Sequence, residues 1–171
     1  MTLEYFIQKL DELKPAENLL INEGFSGIHL DVFKKGYALV KKESGHTITD
    51  GNLIERLMAE YETQYIRFND YSFTEEIQAI DGLSVFCTSS HSAIGYENDS
   101  GEVIEYDLEE MSTMYFCSKN IESFLDALLP LLELKTLRLQ GLVDRRDNET
   151  NEKYLSICVS KAGGSKYKNF F

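Results

Sequence analysis

Three histidines, three cysteines and a dense set of carboxylates are the groups in this chain that could do chemistry. Their spacing decides which chemistry. His29, His46 and His91 each stand without a second ligand at a metal-binding interval such as H-x-x-x-H, so neither a metal nor a cofactor is expected. His29 falls within a segment that reads as extended. His46 lies in the loop-like run Glu43-Ser44-Gly45-His46-Thr47, and loops are where catalytic side chains gather. His91 sits in Ser89-Ser90-His91-Ser92, a turn between two strands, and serine beside histidine in sequence does not make a triad, because the fold brings triad members together. Cys87, Cys117 and Cys158 are widely spaced and form no C-x-x-C pair, which suits buried thiols in a reducing compartment. Gly163-Gly164-Ser165-Lys166 lacks the leading glycine and following helix of a phosphate loop. Glu97-Asn98-Asp99-Ser100-Gly101 has calcium-loop composition without the bidentate glutamate between two helices. Both read as turns or tail.

The carboxylates carry more information. The chain holds 29 acidic and 17 basic residues, a net charge of −12. Between Glu55 and Glu110 stand 14 acidic residues against only Arg56 and Arg67, while the rest of the chain has 15 of each sign, so all of the net charge lies in the middle third. Within it, Glu97, Asp99, Glu102, Glu105, Asp107, Glu109 and Glu110 crowd one expected hairpin and the turn after it. Side chains alternate between the two faces of a strand, so Glu102 and Glu105 point to opposite sides and the seven cannot share one face. Two readings stand: a solvated hairpin that keeps the protein soluble, or a binding patch for a basic partner.

The elements that must position these groups follow from periodicity. Leu3, Phe6, Ile7, Leu10 and Leu13 recur at helical spacing behind Thr2 as N-cap, and Pro15 ends that helix and opens a short one over Ala16–Glu23. Gly27–Val32 and Gly36–Lys41 read as an extended pair, and Glu43–Gly51 as a loop. Asp50 then caps a helix with the stripe Leu53, Ile54, Leu57, Met58, Tyr61 and Tyr65. From Phe68 onward short strands are expected: Leu83–Thr88, Ala93–Glu97, Glu102–Tyr106 and Met114–Cys117, with turns at Asp81-Gly82 and Asn98–Gly101. A strong helix follows, capped by Ser118 or Asn120, with Ile121, Phe124, Leu125, Leu128, Leu129 and Leu132 on one face and a kink or early stop at Pro130. Leu134–Val143 reads as strand or helix and Tyr154–Ser160 as a strand. The order favours an α+β fold with a mostly antiparallel central sheet, flanked by the N-terminal helices and a helix of the C-terminal half. One domain over residues 1–160 is expected, with a tail over 161–171.

At 171 residues and 43% hydrophobic content the chain can bury a substantial core, which rules out a disordered protein. A pI near 4.7 argues against unaided binding to nucleic acid or an anionic membrane and is compatible with a basic protein partner. The opening residues carry no basic-then-apolar leader, and no run approaches membrane-spanning length, so a cytosolic protein is the expectation.

The segment Leu83–Leu134 resembles the C-terminal half of the SUKH superfamily. The residues that carry the resemblance are Ala93-Ile94-Gly95-Tyr96-Glu97, Gly101-Glu102-Val103-Ile104-Glu105-Tyr106-Asp107, the apolar strand Met114-Tyr115-Phe116-Cys117-Ser118 and the helix Asn120–Leu129 with Phe124-Leu125 at its core. In that pattern Phe124 and Leu125 seat the helix on a sheet whose edge is Tyr115-Phe116. The resemblance implies an α+β fold and, as for many bacterial members, a non-enzymatic immunity protein that binds and neutralises a cognate toxin. Nuclease and deaminase toxins have basic substrate clefts, which an acidic surface can occupy while steering the encounter. Two alternatives stand beside it: a small enzyme with a cleft that uses His46 or His91, and a regulatory module engaging some other partner. The seven hairpin carboxylates are the expected partner-binding residues.

Overall fold

A computed structural model describes residues 1–43 and 45–171. Four short helices come first: α1 (Leu3–Glu12), α2 (Glu17–Asn22), α3 (Gly27–Lys35) and α4 (Leu53–Glu60). Six strands follow, β1 (Arg67–Phe68), β2 (Tyr71–Ile80), β3 (Leu83–Thr88), β4 (Ser92–Glu97), β5 (Val103–Asp107) and β6 (Ser112–Ser118). The chain closes with α5 (Ile121–Leu139), α6 (Asn148–Ala162) and a 3₁₀ turn at Ser165–Tyr167. The strands form one antiparallel sheet in the order β1-β2-β3-β4-β5-β6, each paired with its sequence neighbour. This is the α+β architecture that the residue pattern implies.

Local sequence explains most boundaries. Thr2 caps α1 by accepting from the Tyr5 N–H, and Asn52 caps α4 in a reciprocal box with Glu55. The cap of α4 is thus Asn52 rather than Asp50, and that helix ends at Glu60, leaving Tyr65 beyond it. Asp81 and Gly82 both adopt positive φ (49° and 81°), the two-residue turn geometry that matches the twist of the β2–β3 hairpin. Gly95 answers a different need: a Cβ there would lie 2.9 Å from the Ser84 carbonyl oxygen, so only glycine lets β3 and β4 approach so closely.

Four sequence expectations are corrected. Gly27–Lys35 is a helix, not the first arm of an extended pair: helical spacing turns Leu30 and Phe33 inward, Leu30 buried and Phe33 packed against the main core, while Ile28 stays exposed. Tyr154–Ser160 lies inside α6, where Asp147 caps the start and Cys158 and Ala162 pack on α5. Pro130 does not stop α5 short: the helix runs to Leu139 with Pro130 buried within it. The segment after α6, read as a tail, packs onto the domain: Tyr167 is buried and the Phe170 ring lies 6.1 Å from Phe124 and 6.5 Å from Tyr71.

Both sheet faces bury apolar side chains. On one face, Phe86, Ile94 and Val103 meet Phe6 and Leu10 of α1, Ile54 and Leu57 of α4, and Phe124, Leu125 and Leu128 of α5. On the other, Leu83, Val85, Ala93, Ile104 and Tyr106 form a smaller cluster closed by Ile80 and Leu108. Burying side chains of this size contributes about 1.5–3 kcal/mol each, so the helix-facing layer dominates stability.

Candidate functional site

The seven expected carboxylates divide into two populations. Glu105 points with Val103 into the helix-facing layer and is only 8% exposed. It accepts from the Tyr71 hydroxyl and from Ser92 Oγ at 3.1 Å, while Tyr71 and Ser92 share a further contact at 2.5 Å. Burial, reinforced by Glu105, drives the Tyr71 phenol well above its ordinary range, and burial does the same to the neighbouring Cys117 thiol. Glu102 pairs with Lys166 at 2.5 Å and accepts from the Tyr167 hydroxyl at 2.9 Å, holding the C-terminal turn against β5. Burial and that glutamate push Tyr167 up to about 12. These two carboxylates are structural, a role no local pattern reveals, since their partners come from residues 71, 92, 166 and 167.

The other five lie at opposite ends of the β4–β5 hairpin. Glu97 and Asp99 belong to the β4–β5 turn, where Glu97 accepts from Ser100 Oγ at 2.6 Å. Asp107, Glu109 and Glu110 form the β5–β6 turn. Asp107 accepts from the backbone N–H groups of Glu109 and Glu110 at 2.7 and 2.9 Å, which hold its carboxyl below the usual range. Glu110 is exposed and makes no ion pair among the described residues, and Glu109 meets only His91, at 3.3 Å, with both side chains more than three-quarters exposed.

That turn leads into an apolar edge. Met111 is 55% exposed and stands at φ 51°, a left-handed conformation that side chains with a Cβ adopt at a cost of about 1–2 kcal/mol. Met114, Tyr115 and Phe116 follow on β6, each at least 40% exposed. The β5–β6 register skips one residue twice, leaving Met114 and Cys117 unopposed. The two bulges break alternation, so three consecutive large side chains reach the surface of a strand that no further strand covers among the described residues. Aromatic and methionine side chains of this kind characterise the centres of protein interfaces. Tyr115-Phe116 was legible as a sheet edge. Its bulged exposure was not.

None of the three histidines is buried, and among the described residues His91 alone pairs with a carboxylate, Glu109. His29 is exposed on α3 rather than in a strand, His46 is exposed in its loop, and His91 is exposed in the β3–β4 turn, where Ser89 Oγ bonds to Ser92 instead. Among the described residues no three His, Cys, Asp or Glu side chains group as metal ligands. Among the described residues no helix is long and apolar enough to cross a membrane. Comparison of the chain with protein-family models, curated proteins and solved structures gives no match.

Proposed function

We propose that this chain is a non-enzymatic, cytosolic immunity-type protein that binds a cognate basic protein toxin through the β5–β6 turn and the β6 edge. The observation that carries the reading is the juxtaposition just described: Asp107, Glu109 and Glu110 with no ion-pair partner among the described residues other than His91, contiguous with the exposed Met111, Met114, Tyr115 and Phe116. The carboxylates would steer a basic surface, and the apolar residues would supply the desolvated centre that gives a complex its lifetime. The SUKH-like segment contains the whole of this surface, which adds to the case. Strain stored at Met111 fits it too, because an exposed methionine gains nothing for the free protein by standing there.

The test is binding to the toxin encoded beside the gene, followed by association kinetics at low and high salt. E109K with E110K should slow association about tenfold at low salt and little at high salt. F116A should instead speed dissociation. A complex insensitive to both changes would place the interface elsewhere, and failure to bind or to suppress the toxin would overturn the reading.

A further inference from the structure

On the far side of the domain, α3, α5 and the segment leading into β1 enclose a chamber of about 140 Å³. Phe25, Phe33, Tyr37 and Tyr65 wall it, and Arg67 and Lys135 supply its charge. A cavity of roughly 150 Å³ accepts a single aromatic ring. The walls suit one, since Phe33 already packs with Phe25 and Tyr37 at centroid distances of 4.9 and 5.5 Å. Leu132 and Lys135 are also walls of an adjoining, wider bay of about 610 Å³, which Arg138 and Arg145 line as well.

The charge of this region is unusual for so acidic a chain. No carboxylate lines the chamber among the described residues, and Asp70 is the single one lining the bay. None of Arg67, Lys135, Arg138 and Arg145 forms an ion pair among the described residues, although lysines elsewhere do so six times. Arg138 donates to Asn151 Oδ1 at 2.7 Å but leaves its buried Nε without an acceptor. The Lys135 ammonium sits 5.5 Å from the Phe33 ring centre and, among the described residues, donates only to the Arg67 carbonyl at 3.4 Å. Burial and the adjacent Arg67 charge hold it below the usual lysine range. Cations gathered in excess of the one carboxylate beside them, Asp70, are stabilised when an anion arrives.

We propose that chamber and bay together form a site for a free nucleotide, with the planar base in the aromatic chamber and the phosphates on Lys135, Arg138 and Arg145. Three cations against one carboxylate exceed what a single ligand carboxylate would neutralise, which favours phosphate. A chamber for one ring on an otherwise acidic molecule favours a mononucleotide over a polynucleotide. This site is independent of the β6 surface.

Calorimetric titration with the four ribonucleoside 5′-diphosphates, their nucleosides and inorganic phosphate tests the proposal. At least one diphosphate should bind, with its nucleoside and phosphate each weaker by about tenfold or more. K135M and R145Q should each weaken that diphosphate about tenfold, the expected loss of one charge-assisted contact. R145Q changes an exposed side chain, and thermal unfolding confirms that each variant is folded. The proposal fails if no diphosphate binds at about 5 mM, if phosphate or nucleoside alone binds as tightly, or if both folded variants bind like the parent.

Discussion

Glu105 and Glu109 are four positions apart in one hairpin and do opposite work. In the hairpin body, Glu102 and Glu105 are matched to Lys166, Tyr167, Tyr71 and Ser92, and the matching ties β5 to β2, β4 and the C-terminal turn. At the tip, Asp107 spends one oxygen on the turn's own backbone, and Glu109 and Glu110 face solvent beside exposed apolar side chains. The residue type is the same in both places. What differs is whether the fold brings a donor to it, so a count of charges says little about where binding capacity lies. The cation-lined chamber makes the same point with the sign reversed, since a pI that argues against anionic ligands describes the whole surface and not each part.

The comparison can be broken most directly at Glu105. Glu105→Ala leaves the Tyr71 and Ser92 hydroxyls without their buried acceptor and should cost about 2–4 kcal/mol in urea unfolding, whereas Glu109→Ala should stay within about 0.5 kcal/mol. Equal effects would mean that the two populations do not exist. Next in size is Tyr167→Ala, which removes a buried ring and a hydrogen bond to Glu102 and should cost about 2–3 kcal/mol.

Tyr71→Phe should cost about 1 kcal/mol at neutral pH and sharpens the comparison through pH. Tyr71 and Tyr167 both have raised values when folded, so above about pH 10 the unfolded chain loses protons that the folded chain keeps. Stability should therefore fall as pH rises past that point, and the fall should be shallower in Tyr71→Phe. Smallest is Met111→Gly. It relieves the left-handed strain against the added freedom of the unfolded chain, for a net gain of at most about 1 kcal/mol in thermal unfolding. If the proposed toxin binding is right, the same change should weaken that complex, a pairing of gain and loss that a purely structural turn would not show.

Much of the sheet was legible because its signals are local. Strands β3 to β6 alternate or run apolar between turn residues, and Asp81-Gly82 and Asn98–Gly101 mark the hairpins that join them. α3 was not, since Ile28, His29, Val32 and Phe33 read as a strand and nothing nearby shows that Leu30 and Phe33, three positions apart, are the residues that turn inward. α6 failed for a similar reason: Ile157, Cys158 and Val159 carry β propensity, and packing on α5 overrides it. The acidic turn was readable as an acidic cluster, but its division was not, because the groups that claim Glu102 and Glu105 lie as many as 65 residues away. The chamber left no local trace, being assembled from three separate stretches of chain.

The uncrossed strand order bears on how the molecule is made. Because every strand lies against the one before it, the sheet can lengthen one hairpin at a time without waiting for distant segments to meet. Loop-closure entropy is then small at each step, and assembly of the sheet should outpace that of all-β proteins with crossed connections. The slow event is left to the helices, where Thr136 on α5 must find the Leu13 carbonyl at the end of α1 across 123 residues.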